Sequence, residues 1–124
     1  YQPSPNDNVI ITAMEGTPSA LGFVGFAFAE QAGDQIKEIQ VDGGDGCVEP
    51  SAETISDGSY PLSRSLYIYV SADAMARPEV KAYVDFYVTD DSLAADGLLT
   101  QVGYIALPAD RIEATRSTWE SASA

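Results

Sequence analysis

The stretch from Tyr60 to Val70 constrains the fold of this chain more than any other part of the sequence. Asp57-Gly58 predicts a turn before it, and Pro61 fixes its own φ and lacks an amide donor, so the stretch opens on an irregular or edge segment. From Leu66 to Val70, aliphatic side chains alternate with tyrosines, as in a strand. Both faces are apolar, which predicts a central strand of a layered α/β fold. The periodicity alone fits a single ordinary core strand equally well.

Length and charge exclude several classes of protein. The 124 residues suffice for one modest domain with a hydrophobic core. The net charge of −13 is spread along the chain, and such a surface repels nucleic acid and anionic lipid. No run approaches the ~18 apolar residues of a membrane span. We therefore expect no nucleic-acid partner and no membrane-spanning segment. The opening Tyr1-Gln2-Pro3-Ser4-Pro5 resembles a trimmed start more than a natural N-terminus.

The side chains that usually carry catalysis are scarce. Cys47 is the only cysteine and there is no histidine, which removes the Cys–His nucleophile pair and the usual zinc sites. Asp42, Asp45 and Glu49 lie in or beside a glycine-rich loop that superficially suggests calcium. The loop lacks the closing Glu and the alternating acids of an EF-hand, so a solvated turn is the favoured interpretation. We expect no catalytic residue, no metal and no cofactor.

Helical patterns recur along the chain. Asn6-Asp7-Asn8 predicts a cap for a helix that ends at Gly16, although Val9 to Thr12 also fits a strand. Ser51 predicts the cap of a short helix to Ile55, with Thr54 in place of the Glu or Gln that completes a capping box. Further helices are expected at Phe26 to Gln31, Pro78 to Val88, Thr89 to Leu98 and Pro108 to Ser121, the last with a stripe of Ile112, Thr115, Arg116 and Trp119.

Strand patterns lie between these helices. Besides Leu66 to Val70, apolar or alternating runs predict strands at Ala20 to Gly25, Ile36 to Val41 and Val102 to Leu107. The alternation of strand and helix patterns predicts the α/β class, with a mixed sheet and flanking helices.

Three pieces of the sequence, in this order, resemble the PstS-type phosphate-binding proteins of bacterial phosphate ABC transporters. Ala20 to Phe28 is similar to the family's "AIGYVGYAYY" run. Ser51 to Ile55 with Tyr60 to Val70 resembles "SPETI…YPLSRPLYIYV", with Ser65 where the family often has Pro. Val102 to Pro108 is similar to "VGYVPLP". The order and spacing of the three pieces are more specific than any one of them.

The resemblance implies part of a type II periplasmic-binding-protein fold, in which two α/β lobes hold phosphate in the cleft between them. It covers the family's C-terminal portion, so residues 1–59 would end the second lobe. Residues 60–124 would supply a crossing strand and return to the first lobe. The implied function is capture of inorganic phosphate outside the cytoplasm, in the periplasm or at the cell surface of a bacterium, and delivery to an ABC permease.

The resemblance transfers no phosphate ligand with certainty, because the family's main hydroxyl- and amide-rich loops have no counterpart in this chain. The residues from Tyr1 to Ser4 look like the run that follows one of those loops. The implied site lies upstream, and Ser63 and Arg64 are the two candidates near the cleft. A structural role, with Arg64 paired to an acid or a carbonyl, is the favoured alternative.

A second function remains open, namely a self-sufficient small acidic module with a structural or interaction role and no ligand of its own. Under the first function, the apolar faces of the Leu66 to Val70 strand and of the Pro78 to Val88 helix need partners from outside the chain. We expect these partners to be the missing N-terminal part of the same protein or a second copy.

Overall fold

The computed structural model describes residues 3–123, and within them eight α-helices alternate with extended segments and one short hairpin. Tyr1, Gln2 and Ala124 lie outside the described residues, so the structure describes only part of the opening run from Tyr1 to Pro5. The helices are α1 (Asp7–Glu15), α2 (Phe26–Ala32), α3 (Ala52–Ser56), α4 (Ala72–Met75), α5 (Pro78–Tyr87), α6 (Asp90–Leu93), α7 (Leu98–Gln101) and α8 (Ala109–Ala122), with a 3₁₀ turn at Gly33–Gln35.

The hairpin is the one sheet in the described part of the chain. Strands β1 (Val41–Asp42) and β2 (Cys47–Val48) run antiparallel, with Val41 opposite Val48. The predicted α/β class is confirmed in this coarse sense, since helices accompany a small sheet. The predicted strand from Ile36 is wrong over most of its length, because only Val41 pairs.

The predicted helix starts are confirmed where a side chain caps the backbone. Asn6 Oδ1 accepts from the amide of Asn8 at 3.0 Å, which begins α1 as a helix and excludes the strand alternative. Ser51 Oγ accepts from the amide of Thr54 at 3.1 Å, and Thr54 Oγ1 accepts from the amide of Ser51 at 3.0 Å. The capping box of α3 is therefore complete, because the threonine hydroxyl supplies the acceptor expected of Glu or Gln.

Two other helix predictions need correction at their boundaries. The helix expected from Thr89 to Leu98 ends early, at Leu93, because Ala94 and Gly97 both have extended backbone with ψ of 166° and 177°. The next helix, α7, begins only at Leu98. Pro108 caps α8 instead of forming its first turn. Helices α2, α5 and α8 otherwise lie where the sequence predicts them.

The run from Leu66 to Val70 is extended, but it is not a covered central strand in this chain. Between Ser63 and Ala74, no backbone amide donates to the backbone of another described residue. Leu66 is 58% exposed and Tyr69 is 89% exposed. The prediction is wrong for the isolated chain because no other described segment lies alongside to pair with this run. The predicted strands at Ala20 to Gly25 and Val102 to Leu107 are likewise absent from the described residues as paired strands.

The small core of the described residues includes the contact between α5 and α8. Val84 and Trp119 are 5% and 8% exposed, and Ile11 and Ala32 complete the set of buried apolar residues. The Trp119 indole donates to Asp85 Oδ1 at 2.7 Å, and Lys81 Nζ lies 5.5 Å from the centre of its ring.

A second polar contact holds α8 against the end of α5. Arg116 Nε donates to the Val88 carbonyl at 2.8 Å, and the same guanidinium forms an ion pair with Asp90. The predicted stripe of α8 is therefore confirmed for Arg116 and Trp119, whereas Thr115 is exposed. Among the described residues, no helix is both long enough and apolar enough to cross a membrane.

Candidate functional site

Ser63 and Arg64, the two predicted candidates for phosphate contact, lie where a turn passes into the exposed extended run. The amide of Tyr60 donates to the Thr54 carbonyl at 2.8 Å, and the amide of Ser63 donates to the Tyr60 carbonyl at 2.9 Å. These bonds hold the turn against α3. Ser63 is half-buried and Arg64 is exposed.

Neither of these two side chains is paired with another side chain in the described part of the molecule. The ion pairs seen within residues 3–123 are Arg77–Glu79, Lys81–Asp85 and Arg116–Asp90. Neither the Ser63 hydroxyl nor the Arg64 guanidinium forms a hydrogen bond to another residue in that range. Both proposed roles of Ser63 and Arg64, contact with phosphate and a structural role, therefore remain predictions.

The glycine-rich loop is organised by the carboxylate of Asp42. Asp42 Oδ1 accepts from the amides of Gly44 at 2.7 Å and Gly46 at 3.0 Å. Both glycines have positive φ, 122° and 111°, which other residues rarely adopt. The two amide bonds lower the pKa of Asp42 below its usual value, the Gly44 bond most strongly. Asp42 thus closes the turn between β1 and β2, and no set of three metal-ligating side chains is grouped in the described part of the chain.

This turn gives a pH prediction. Because the folded pKa of Asp42 is lowered, its contribution to stability is present above the unfolded pKa of about 3.9 and is lost as pH falls through the folded value. We expect carbon-detected NMR titration to place the Asp42 carboxyl pKa below that of an unfolded aspartate. Asp42→Asn should flatten the fall in stability as the pH drops below about 4. An Asp42 pKa at or above the unfolded value would contradict this account.

The surface near the hairpin is strongly acidic. Burial raises the pKa of Glu38, and the neighbouring charges of Glu30 and Glu49 raise it further. Repulsion among these carboxylates would act equally on an approaching phosphate. This part of the described surface is therefore unsuited to bind an anion.

Neither of two open hollows in the described part of the chain has the chemistry of an anion site. The first, of about 460 Å³, is lined by Asp90, Asp91 and Asp96 beside Phe86. The second, of about 530 Å³, lies between α2 and α7 and is lined in part by Glu30. Neither lining contains a lysine or an arginine. These two hollows therefore offer no cationic side chain to a phosphate.

Comparison with known proteins identifies the family. The sequence profile described as "PBP superfamily domain" matches residues 7–91. The chain belongs to the PBP superfamily. The match runs from α1 into α6 and includes the hairpin, the Ser63–Arg64 turn and the exposed extended run.

The curated relatives that match the chain include proteins named SphX and proteins named phosphate-binding protein PstS. The protein SphX of a Synechocystis strain is 41% identical over 107 residues, which is 85% of this chain and 31% of that protein. SphX of Synechococcus elongatus is 31% identical over 120 residues, covering 95% of this chain and 34% of that protein. The phosphate-binding protein PstS of Staphylococcus haemolyticus is 34% identical over 103 residues, covering 82% and 31%. No solved structure matches the chain.

These matches confirm the resemblance to PstS-type proteins that the three sequence pieces carry. This PBP-superfamily chain spans about a third of the length of the curated relatives it matches. The alternative of a self-sufficient small module is not favoured, since most of the chain aligns within much longer proteins.

Proposed function

We propose that this chain is part of an extracytoplasmic phosphate-binding protein that captures inorganic phosphate and delivers it to an ABC permease. The observation that carries the proposal is the 34% identity over 103 residues to a protein named phosphate-binding protein PstS, with the 41% identity to the protein SphX beside it. The role is binding and transport, without catalysis. Its location would be the periplasm or the outer cell surface of a bacterium.

Within that protein, the chain would act as scaffold. We propose the type II periplasmic-binding-protein fold for the whole, with residues 1–59 ending the second lobe and residues 60–124 crossing to the first. The main phosphate ligands would come from the part that the relatives carry beyond the match. Such ligands act through hydroxyls and the free amides of helix N-termini, which stabilise a bound anion.

The isolated chain is expected to bind phosphate weakly or not at all. Its net charge of −13 opposes an anion, and the two hollows described above contain three acids and one acid, respectively, and no lysine or arginine. Isothermal titration calorimetry with inorganic phosphate checks this. A micromolar dissociation constant for the isolated chain would show that it carries its own site.

The function itself is tested in a chimera, in which this chain replaces the 103 matched residues of the phosphate-binding protein PstS of Staphylococcus haemolyticus. The chimera should bind phosphate in the same titration. A chimera that shows a folded circular dichroism spectrum but no heat of phosphate binding would contradict the proposed function.

Substitutions in the same chimera can decide whether Ser63 and Arg64 contact phosphate or have a structural role. If Arg64 contacts phosphate, Arg64→Ala removes a charge-assisted hydrogen bond and the phosphate affinity falls about tenfold or more. If its role is structural, the affinity holds and the unfolding midpoint falls. For Ser63→Ala, the same two measurements, phosphate affinity and unfolding midpoint, distinguish the two roles. Arg77→Ala is the matched control, because it removes only an exposed surface ion pair with Glu79.

A further inference from the structure

The carboxylates of this chain lie at its surface and far outnumber its cations. Of the nineteen acidic residues, eighteen are exposed and only Asp7 is half-buried. The chain has six lysines and arginines, and within residues 3–123 three of these form ion pairs, with Glu79, Asp85 and Asp90. Sixteen carboxylates in the described part of the chain therefore have no ion-pair partner.

These carboxylates are close enough to repel one another when the solution contains little salt. They share an accessible surface of 9022 Å², so neighbouring charges are on average about 20 Å apart, which is less than the Debye length of about 30 Å at 0.01 M salt. At 1 M salt the Debye length is about 3 Å, and charges at this spacing no longer interact. Some carboxylates are closer together, since burial raises the pKa of Glu38 and the charges of Glu30 and Glu49 raise it further.

The helices place some carboxylates where the backbone also repels them. The C-terminal end of a helix carries partial negative charge, so a carboxylate in the last turn destabilises the helix and a lysine or arginine stabilises it. No helix in the described range has a lysine or arginine in its last turn. Glu15, Glu30 and Glu120, in contrast, lie in the last turns of α1, α2 and α8. Salt screens this repulsion as well.

Little in the described structure offsets the repulsion. The buried apolar residues in this part of the chain are Ile11, Ala32, Val84 and Trp119. Salt also weakens the three ion pairs, but each of them includes an exposed partner, and surface pairs contribute little to stability. Added salt therefore removes more repulsion than attraction.

We propose that the stability of this fold is controlled by ionic strength, so that the chain is loosened at about 0.01 M salt and becomes firmly folded as the salt concentration rises toward about 1 M. The effect comes from screening of the whole surface and needs no ion bound at one site. It is separate from phosphate binding, because it depends on exposed carboxylates and on no phosphate ligand. Such a chain is suited to a medium of high ionic strength.

Calorimetric melting of the PstS chimera in potassium chloride tests the proposal, in the absence of phosphate. Between 0.01 M and 1 M salt, the melting temperature of the chimera should rise by about 5 °C or more, and by more than that of the parent PstS. Sodium chloride at the same concentrations should have the same effect, because screening depends on ionic strength. A melting temperature that stays constant or falls with salt would overturn the proposal, as would an equal rise in the parent or a chimera that remains unfolded at 1 M.

Neutral variants of the chimera distinguish screening from a general effect of salt on apolar burial. The combined substitutions Glu15→Gln, Glu30→Gln and Glu120→Gln should raise the melting temperature at 0.01 M salt by about 2 °C and leave it unchanged at 1 M. A matched pair lies on α8, where Glu120→Gln should raise the low-salt melting temperature more than Asp110→Asn, because Asp110 is in the favourable first turn. If the triple variant gains as much from salt as the unchanged chimera, repulsion among carboxylates is not the cause and the proposal fails.

Discussion

Trp119→Ala is expected to lower the free energy of unfolding by about 3–5 kcal/mol, the range for removing a large buried aromatic side chain. Trp119 is 8% exposed and lies in a core with few buried apolar residues, so little else can fill the cavity. Native domains are stable by only about 5–15 kcal/mol. In urea denaturation followed by circular dichroism, the variant should unfold at much lower urea or lack a cooperative transition.

Trp119→Phe separates the contribution of the buried aromatic ring from that of the indole N–H hydrogen bond. Phenylalanine retains most of the buried area but cannot donate to Asp85, a bond of 2.7 Å in the native chain. Asp85 is partly exposed and can be hydrated instead, so the expected loss is only about 1 kcal/mol. Thr118→Ala, at an exposed neighbouring position, is the surface control. If Trp119→Ala unfolds at the same urea concentration as this control, Trp119 does not anchor α8.

Local structure was predictable because its causes lie within a few residues. The caps at Asn6 and Ser51 act on amides two and three positions away, and the apolar spacing of α5 is a property of the helix itself. The docking of α8 on α5 was not predictable to the same degree. The bond from Trp119 to Asp85 joins residues 34 positions apart, and the sequence indicates only that Trp119 lies on an inward stripe.

The strands were less predictable because a strand is completed by its neighbour. The alternation from Leu66 to Val70 predicts an extended backbone with two apolar faces, and the structure has that backbone. What pairs with it depends on residues outside the run, and none of the described segments does so. The same reason limits prediction of the candidate site. The sequence indicates where Ser63 and Arg64 lie, but it does not indicate which other groups would bind the same phosphate.

Gly103→Ala is expected to lower the free energy of unfolding by about 2–4 kcal/mol, for two separate reasons. Gly103 has a φ of 93°, where a residue with a Cβ is strained. The added Cβ would also lie 2.9 Å from that of Ala27, which forces α7 away from α2. Urea denaturation measures the sum of the two effects.

A second glycine and a double-mutant cycle separate these causes. Gly16 has a φ of −91° and no atom within 4 Å of an added Cβ, so Gly16→Ala should change stability by no more than about 0.5 kcal/mol. Ala27→Gly removes the contact but leaves the backbone strain, so the stability that it restores to Gly103→Ala measures the contact between α2 and α7. If Gly103→Ala is as stable as Gly16→Ala, then Gly103 is neither strained nor packed against Ala27 of α2.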